Sequence, residues 1–97
     1  MGSVKVRLSA QVQDLIGSLA PESKREMRAG LKQLAQGIGD TKTLQGELAG
    51  YNRLRISRWR VIFRYTPGAS GPEISCDFAE QRDVVYQMFS ALLAEEH

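Results

Sequence analysis

Apolar and polar positions divide the chain into segments of two periods. Val4, Val6 and Leu8 alternate with Lys5 and Arg7, the pattern of a short half-buried strand. Val12, Leu15, Ile16 and Leu19 then fall at i, i+3, i+4 and i+7, which predicts a helix with one apolar face and Ser9 as its N-cap. Ala20-Pro21-Glu22 breaks this helix and opens a second, with proline suited to the first turn and the acid to the helix N-terminus. Met27, Leu31, Leu34 and Ile38 carry the second apolar stripe, and Gly37 and Gly39 end it. Residues 40–50 read as a loop anchored by Leu44 and Leu48.

Beyond the loop the period changes to two. Tyr51 to Ile56 and Trp59 to Thr66 are rich in aromatic and β-branched residues and predict two strands joined at Ser57-Arg58. Pro67 to Pro72 is a second turn. Ile74, Cys76 and Phe78 alternate with Ser75, Asp77 and Ala79 in a further strand, and on this parity Glu80 shares the core side. Val85, Met88, Phe89 and Leu92 repeat at helical spacing. The order β-α-α-β-β-β-α predicts an α+β fold, with an N-terminal strand and a helical hairpin packed on an antiparallel β-sheet.

The 97 residues suffice for one domain, taken as 1–97, with a core that needs no staples. No apolar run is long enough to span a bilayer, and no secretory signal is evident. A single cysteine, Cys76, excludes an internal disulfide and a cysteine-cluster metal site, and is expected in the core. The one histidine, His97, is the last residue, which argues against histidine catalysis and histidine-based metal chemistry. Met1-Gly2-Ser3 reads as a cloning scar and His97 as the start of a tag.

The net charge of +2 conceals a strong asymmetry: residues 48–72 carry +5, all arginine, while residues 73–97 carry −5. Arginine suits planar, bidentate phosphate contacts, although charged runs also serve as solvated surface. A symmetric turn at Ser57-Arg58 pairs Ile56 with Trp59, Arg55 with Arg60, Leu54 with Val61 and Arg53 with Ile62. Leu54, Ile56, Trp59, Val61 and Phe63 then share the core face, and Arg53, Arg55, Arg60 and Arg64 share the other. Arg55 directly across from Arg60 is a repulsive pair, which a bound anion would relieve.

The run from Leu48 to Arg64, with Gly50-Tyr51, Arg53-Leu54-Arg55 and Trp59-Arg60-Val61-Ile62-Phe63, resembles the RelE/ParE superfamily of bacterial toxins. Leu44 to Leu48 resembles the upstream anchor of that pattern, and Arg82 to Tyr86 its C-terminal motif. The resemblance implies a small cytoplasmic toxin held by a cognate antitoxin in a hetero-oligomer. Its RelE branch implies a ribosome-dependent mRNA endoribonuclease without metal or organic cofactor, with ribosome and mRNA as partners. Its ParE branch implies a DNA gyrase inhibitor that acts by binding, and an inactive, antitoxin-binding member is a third reading. By position, Arg53, Arg55 and Arg60 match the basic residues around the scissile phosphate, and Arg82 and Tyr86 match the C-terminal pair of the ribonuclease branch. Lysine often stands where Arg53 and Arg55 do, and a basic residue or histidine where this chain has Glu80-Gln81.

The chemistry is unevenly supplied. Guanidinium groups stabilise a phosphorane well but are poor bases at neutral pH, and a tyrosine is only slightly better. Glu80 and Asp77 are bases by type, yet neither is convincing from pattern alone. Arg82 and Tyr86 are neighbours if the last helix includes Arg82. Arg64 is expected to contact RNA backbone, and Lys24 and Arg28, with Arg25 and Lys32, form a basic helix face suited to the same work or to solvation. Arg58 reads as a solvated turn residue and Trp59 as core.

Overall fold

The computed structural model describes residues 3–96; Met1, Gly2 and His97 lie outside the described part, and with them most of the expectation of a cloning scar and a tag. The elements run β1 (Val6–Leu8), α1 (Ala10–Ser18), α2 (Pro21–Ala35), β2 (Asp40–Thr43), a 3₁₀ turn (Gly46–Leu48), β3 (Asn52–Ile56), β4 (Trp59–Gly68), β5 (Gly71–Gln81) and α3 (Val85–Glu95). The sheet order is β1-β5-β4-β3-β2. Strands β2 to β5 form an antiparallel meander, and β1 joins β5 in parallel, so the sheet is mixed. No helix among the described residues is long and apolar enough to cross a membrane.

Local signals account for the helices. The Ser9 hydroxyl accepts from Val12 N at 3.2 Å and caps α1, as expected. Pro21 opens α2 with Glu22 in its first turn. The second helical stripe is shorter than its sequence suggests: α2 stops at Ala35, and Ile38 lies beyond it, exposed.

Both faces of the sheet are covered, by different means. Val12, Ile16, Met27, Leu31 and Leu34 of the helical hairpin pack on Leu54, Ile56, Trp59, Val61, Phe63, Ile74 and Cys76. On the other face, Val85 and Phe89 of α3 pack on Ile62, Phe78 and Leu48. The β3–β4 register is the symmetric one, from Ile56 with Trp59 to Arg53 with Ile62. Ser57 has φ 56° and Arg58 has no positive φ, the pattern of a II′ turn without its usual glycine.

Two features depart from the simple pattern. Residues 40–43 are not loop but an edge strand, paired with β3 and exposed at every position. Strand β5 contains a bulge: Ile62 pairs with Phe78 and Phe63 with Cys76, which leaves Asp77 as the extra residue. The bulge reverses the side-chain parity. Ile74, Cys76 and Ala79 belong to the hairpin core, whereas Phe78 belongs to the α3 core, and Glu80 therefore stands on the α3 face rather than with Ile74 and Cys76. Asp77 is held on all sides: Arg64 Nε lies 2.7 Å from Oδ2, Ser75 donates to Oδ1 at 2.7 Å, and Ser9 donates to its carbonyl at 3.0 Å. Next to the bulge, the Gln11 side-chain amide takes the place of a strand, donating to Ala79 O at 2.7 Å and accepting from Ala79 N at 2.8 Å.

Helix α2 approaches β3 closely at Gly30, where an added Cβ would stand 2.5 Å from Ile56 Cδ1. Gly30→Ala should gain about 1 kcal/mol of helix propensity but lose about 1–3 kcal/mol to overpacking, since Ile56 is buried. The expected net result is a melting temperature lower by several degrees, measured by circular dichroism; an increase would show that the contact is slack. Burial also pushes the Cys76 thiol up to about 12. Iodoacetamide at pH 8 should leave Cys76 unmodified in the native protein and alkylate it in denaturant, as read by mass spectrometry.

Candidate active site

Four strands bring one charged residue each into a single row on the α3 face. Asp40 pairs with Arg55, Arg55 with Arg60, and Arg60 with Glu80. The next row runs Lys42, Arg53, Ile62 and Phe78, where α3 begins its cover. The like-charged pair at the centre is therefore flanked by a carboxylate on each side, a compensation that the acid-free stretch from residue 48 to 72 conceals.

The two carboxylates are used differently. Asp40 engages β3: Arg53 Nη1 donates to its carbonyl at 3.1 Å and to Oδ1 at 3.2 Å, and Arg55 Nη1 lies 3.9 Å from Oδ2. Glu80 instead accepts from Gln81 N at 2.9 Å. Among the described residues, Arg60 has no carboxylate within ion-pair distance; its Nη1 donates to the carbonyls of Ser57 and Trp59, both at 2.9 Å. Burial, and then the charge of Arg55, lower its guanidinium pKa below the ordinary arginine value, with Arg53 and Arg82 acting in the same sense and Tyr86 opposing them. Half-buried, beside like charge and without an ion pair among the described residues, Arg60 is well prepared to receive an anion.

A cleft of about 640 Å³ opens beside it. Arg53, Arg60, Arg82 and Tyr86 line it together with Lys42 and Asp83. Arg82 does not lie in the last helix: it sits in the turn before α3, where its N–H donates to Arg58 O at 2.9 Å and ties the β3–β4 turn to the end of β5. Its Nε is 3.8 Å from Asp83 Oδ1. Tyr86 is in the first turn of α3 and packs on the Ile62 and Phe89 cluster. Arg55 is exposed across from Arg60 and does not line the cleft.

Other expected site residues stand apart. Arg64 shares the arginine face but lies about 13 Å along β4 from Arg60. It is held in its ion pair with Asp77, a hydrogen bond that raises its pKa. Lys24 and Arg28, with Arg25 and Lys32, line a separate groove on α2, on the hairpin side of the sheet. Arg58 is exposed and lies over the Trp59 ring at 5.2 Å. Lys42 is a cleft residue that sequence reasoning missed, because a loop assignment at residues 40–50 gave it no facing partner. Among the described residues no group of three His, Cys, Asp or Glu side chains comes together as a metal site would need.

No protein-family model matches the chain, and no curated protein matches it by sequence. Solved structures do match. A YoeB/ParE toxin from Agrobacterium tumefaciens superposes with a TM-score of 0.66 at 16% identity, over 81% of this chain and 99% of that one. The RelBE2 toxin-antitoxin complex from Mycobacterium tuberculosis matches with a TM-score of 0.61 at 20% identity, over 82% and 99%. The archaeal RelE-RelB complex from Pyrococcus horikoshii matches with a TM-score of 0.61 at 22% identity, over 82% and 96%. The chain has the RelE/ParE toxin fold. In this RelE/ParE-like chain the cleft lies where the β3–β4 hairpin, the end of β5 and the start of α3 meet.

If the cleft is an oxyanion site, anions should stabilise the protein by binding its folded form. Phosphate should raise the melting temperature more than chloride at equal ionic strength, and Arg60→Ala should abolish that difference while remaining folded. A phosphate advantage that survives in Arg60→Ala would place the anion elsewhere.

Proposed function

We propose that the protein is the toxin of a toxin-antitoxin pair and that it acts in the cytoplasm as a ribosome-dependent mRNA endoribonuclease, with no metal or organic cofactor. The observation that carries this reading is the convergence of Arg53, Arg60, Arg82 and Tyr86 on one cleft in which Arg60 has no counter-ion among the described residues. The toxins and toxin-antitoxin complexes that share the fold support the coarser part of it.

In the proposed reaction the 2′-oxygen attacks phosphorus and the bond to the 5′-oxygen breaks. Charge builds on the non-bridging oxygens, and Arg60 and Arg53 are the donors for it, with Arg55 adding positive charge from outside the cleft. Arg82 holds the phosphate or the leaving side, and the Tyr86 ring orients or stacks on a base. Among the described residues no histidine or unpaired carboxylate lines the cleft to activate the 2′-hydroxyl, so the enzyme would rely on the ribosome to hold mRNA in an attacking geometry. The antitoxin would cover the apolar strip of Val84, Met88 and Leu92, which are exposed along one side of α3, or extend the sheet at β2. The same lack of a base is the observation that favours the second reading, a gyrase inhibitor that acts by binding alone.

Induction of the protein in cells should create new mRNA 5′ ends phased with codons, while plasmid supercoiling stays unchanged; altered supercoiling with intact mRNA would establish the gyrase reading instead. On programmed ribosomes Arg60→Ala should cut single-turnover cleavage by about two to three orders of magnitude, the usual loss for one preorganised donor. Arg58→Ala should change it little. Co-expression with the product of the neighbouring gene should give a stable complex, and failure to co-purify would count against the antitoxin partner.

A further inference from the structure

We propose that Lys42, on the edge strand β2, is a further catalytic residue: the general acid that protonates the departing 5′-oxygen. The inference rests on the ribonuclease reading. It begins from a gap in that reading, because P–O5′ cleavage needs a proton for an alkoxide, and no residue so far assigned supplies one readily.

The pairing of β2 with β3 puts Lys42 directly across from Arg53, and it lines the same cleft as Arg53, Arg60, Arg82 and Tyr86. Among the described residues its ammonium makes no hydrogen bond or ion pair with another side chain, unlike Arg53, Arg55, Arg64 and Arg82. Its neighbour two residues back, Asp40, is engaged with Arg53 and Arg55 rather than with Lys42. Lys42 is thus an uncommitted proton carrier at the wall of an anion site.

Chemistry separates it from the other donors. A guanidinium binds an oxyanion but, being far more basic, scarcely releases a proton, whereas an ammonium, with a reference pKa of about 10.4, gives one up at least a hundredfold more readily. The Tyr86 ring, by contrast, is packed against the apolar cluster that seats α3. Lysine carries its charge on a flexible four-carbon stem and can follow a leaving group as it withdraws. The step balances within the cleft. The 2′-oxygen bonds to phosphorus and its proton leaves to solvent. The P–O5′ bond breaks, and a proton passes from Lys42 Nζ to O5′. The products are a 2′,3′-cyclic phosphate, a free 5′-hydroxyl and a neutral amine that solvent reprotonates.

The test compares two mRNAs on programmed ribosomes, one natural and one with sulfur in place of the 5′-bridging oxygen at the scissile position. A thiolate, whose conjugate acid has a pKa of about 8.5, departs without help from an acid. Lys42→Arg and Lys42→Ala should each lower cleavage of natural mRNA by about a hundredfold or more, the scale of general acid catalysis, and should cleave the sulfur substrate at close to the wild-type rate. Thermal melts should be unchanged, since Lys42 is exposed. Wild-type rates with Lys42→Arg on natural mRNA would overturn the proposal, and so would equal losses on both substrates, which would assign Lys42 to charge or binding. Failure of the wild-type protein to cleave either mRNA would overturn the ribonuclease reading itself, and this assignment with it.

Discussion

The one-residue bulge at Asp77 is the constraint on which the rest of the arrangement depends. An uninterrupted β5 would turn Ile74, Cys76, Phe78 and Glu80 all toward the helical hairpin. With Asp77 as the extra residue, the first half of the strand serves the hairpin core, and Phe78 crosses to the opposite face to meet Ile62. Only then does α3 have an apolar seat, and only on that seat does Tyr86 reach the wall of the cleft. Three groups hold the bulge: Arg64, Ser75 and the Ser9 hydroxyl, which also caps α1. Arg64, attractive from sequence as a nucleic-acid contact, is spent on this ion pair. It therefore bears on the site through the path of β5.

Legibility from sequence followed the hydrophobic pattern closely and failed where the pattern is silent. In β3 and β4 a one-residue slip would bury arginines, so the register and the arginine face could be read from residues alone. Ser9 and Pro21 marked their helix starts because capping is local chemistry. Strand β2 was invisible because Asp40, Thr41, Lys42 and Thr43 bury nothing. They are a strand because their backbone pairs with β3, and hydropathy carries no trace of backbone pairing. Lys42 was lost with it. The bulge escaped notice because period-2 reasoning assumes an unbroken count, and the misassigned side of Glu80 followed from that assumption. The parallel pairing of β1 with β5 depends on the path of the chain after two helices, which no local pattern encodes.

The charge arrangement shows why an apparently unfavourable pair persists in a small domain. Taken alone, Arg55 against Arg60 costs stability. Within the row it lies between Asp40 and Glu80, so the four strands together carry no net charge along that line. The compensation is uneven: Asp40 draws Arg53 and Arg55 toward β2, while Glu80 turns to its own backbone neighbour and leaves Arg60 bonded only to the carbonyls of Ser57 and Trp59. The fold tolerates the cluster as a whole while leaving Arg60, at its centre, without an ion pair among the described residues.

The amide of Gln11 has an effect on assembly. Strand β5 runs eleven residues, but β1 covers only three of them on the outer side. By occupying both the N–H and the carbonyl of Ala79, Gln11 closes the next stretch as a short strand would. The outer flank of β5 is thereby broken into pieces too short to template a foreign strand, and β2, though open, carries Asp40 and Lys42 along its four residues. A single glutamine on a helix thus blunts this flank of the sheet against a foreign strand.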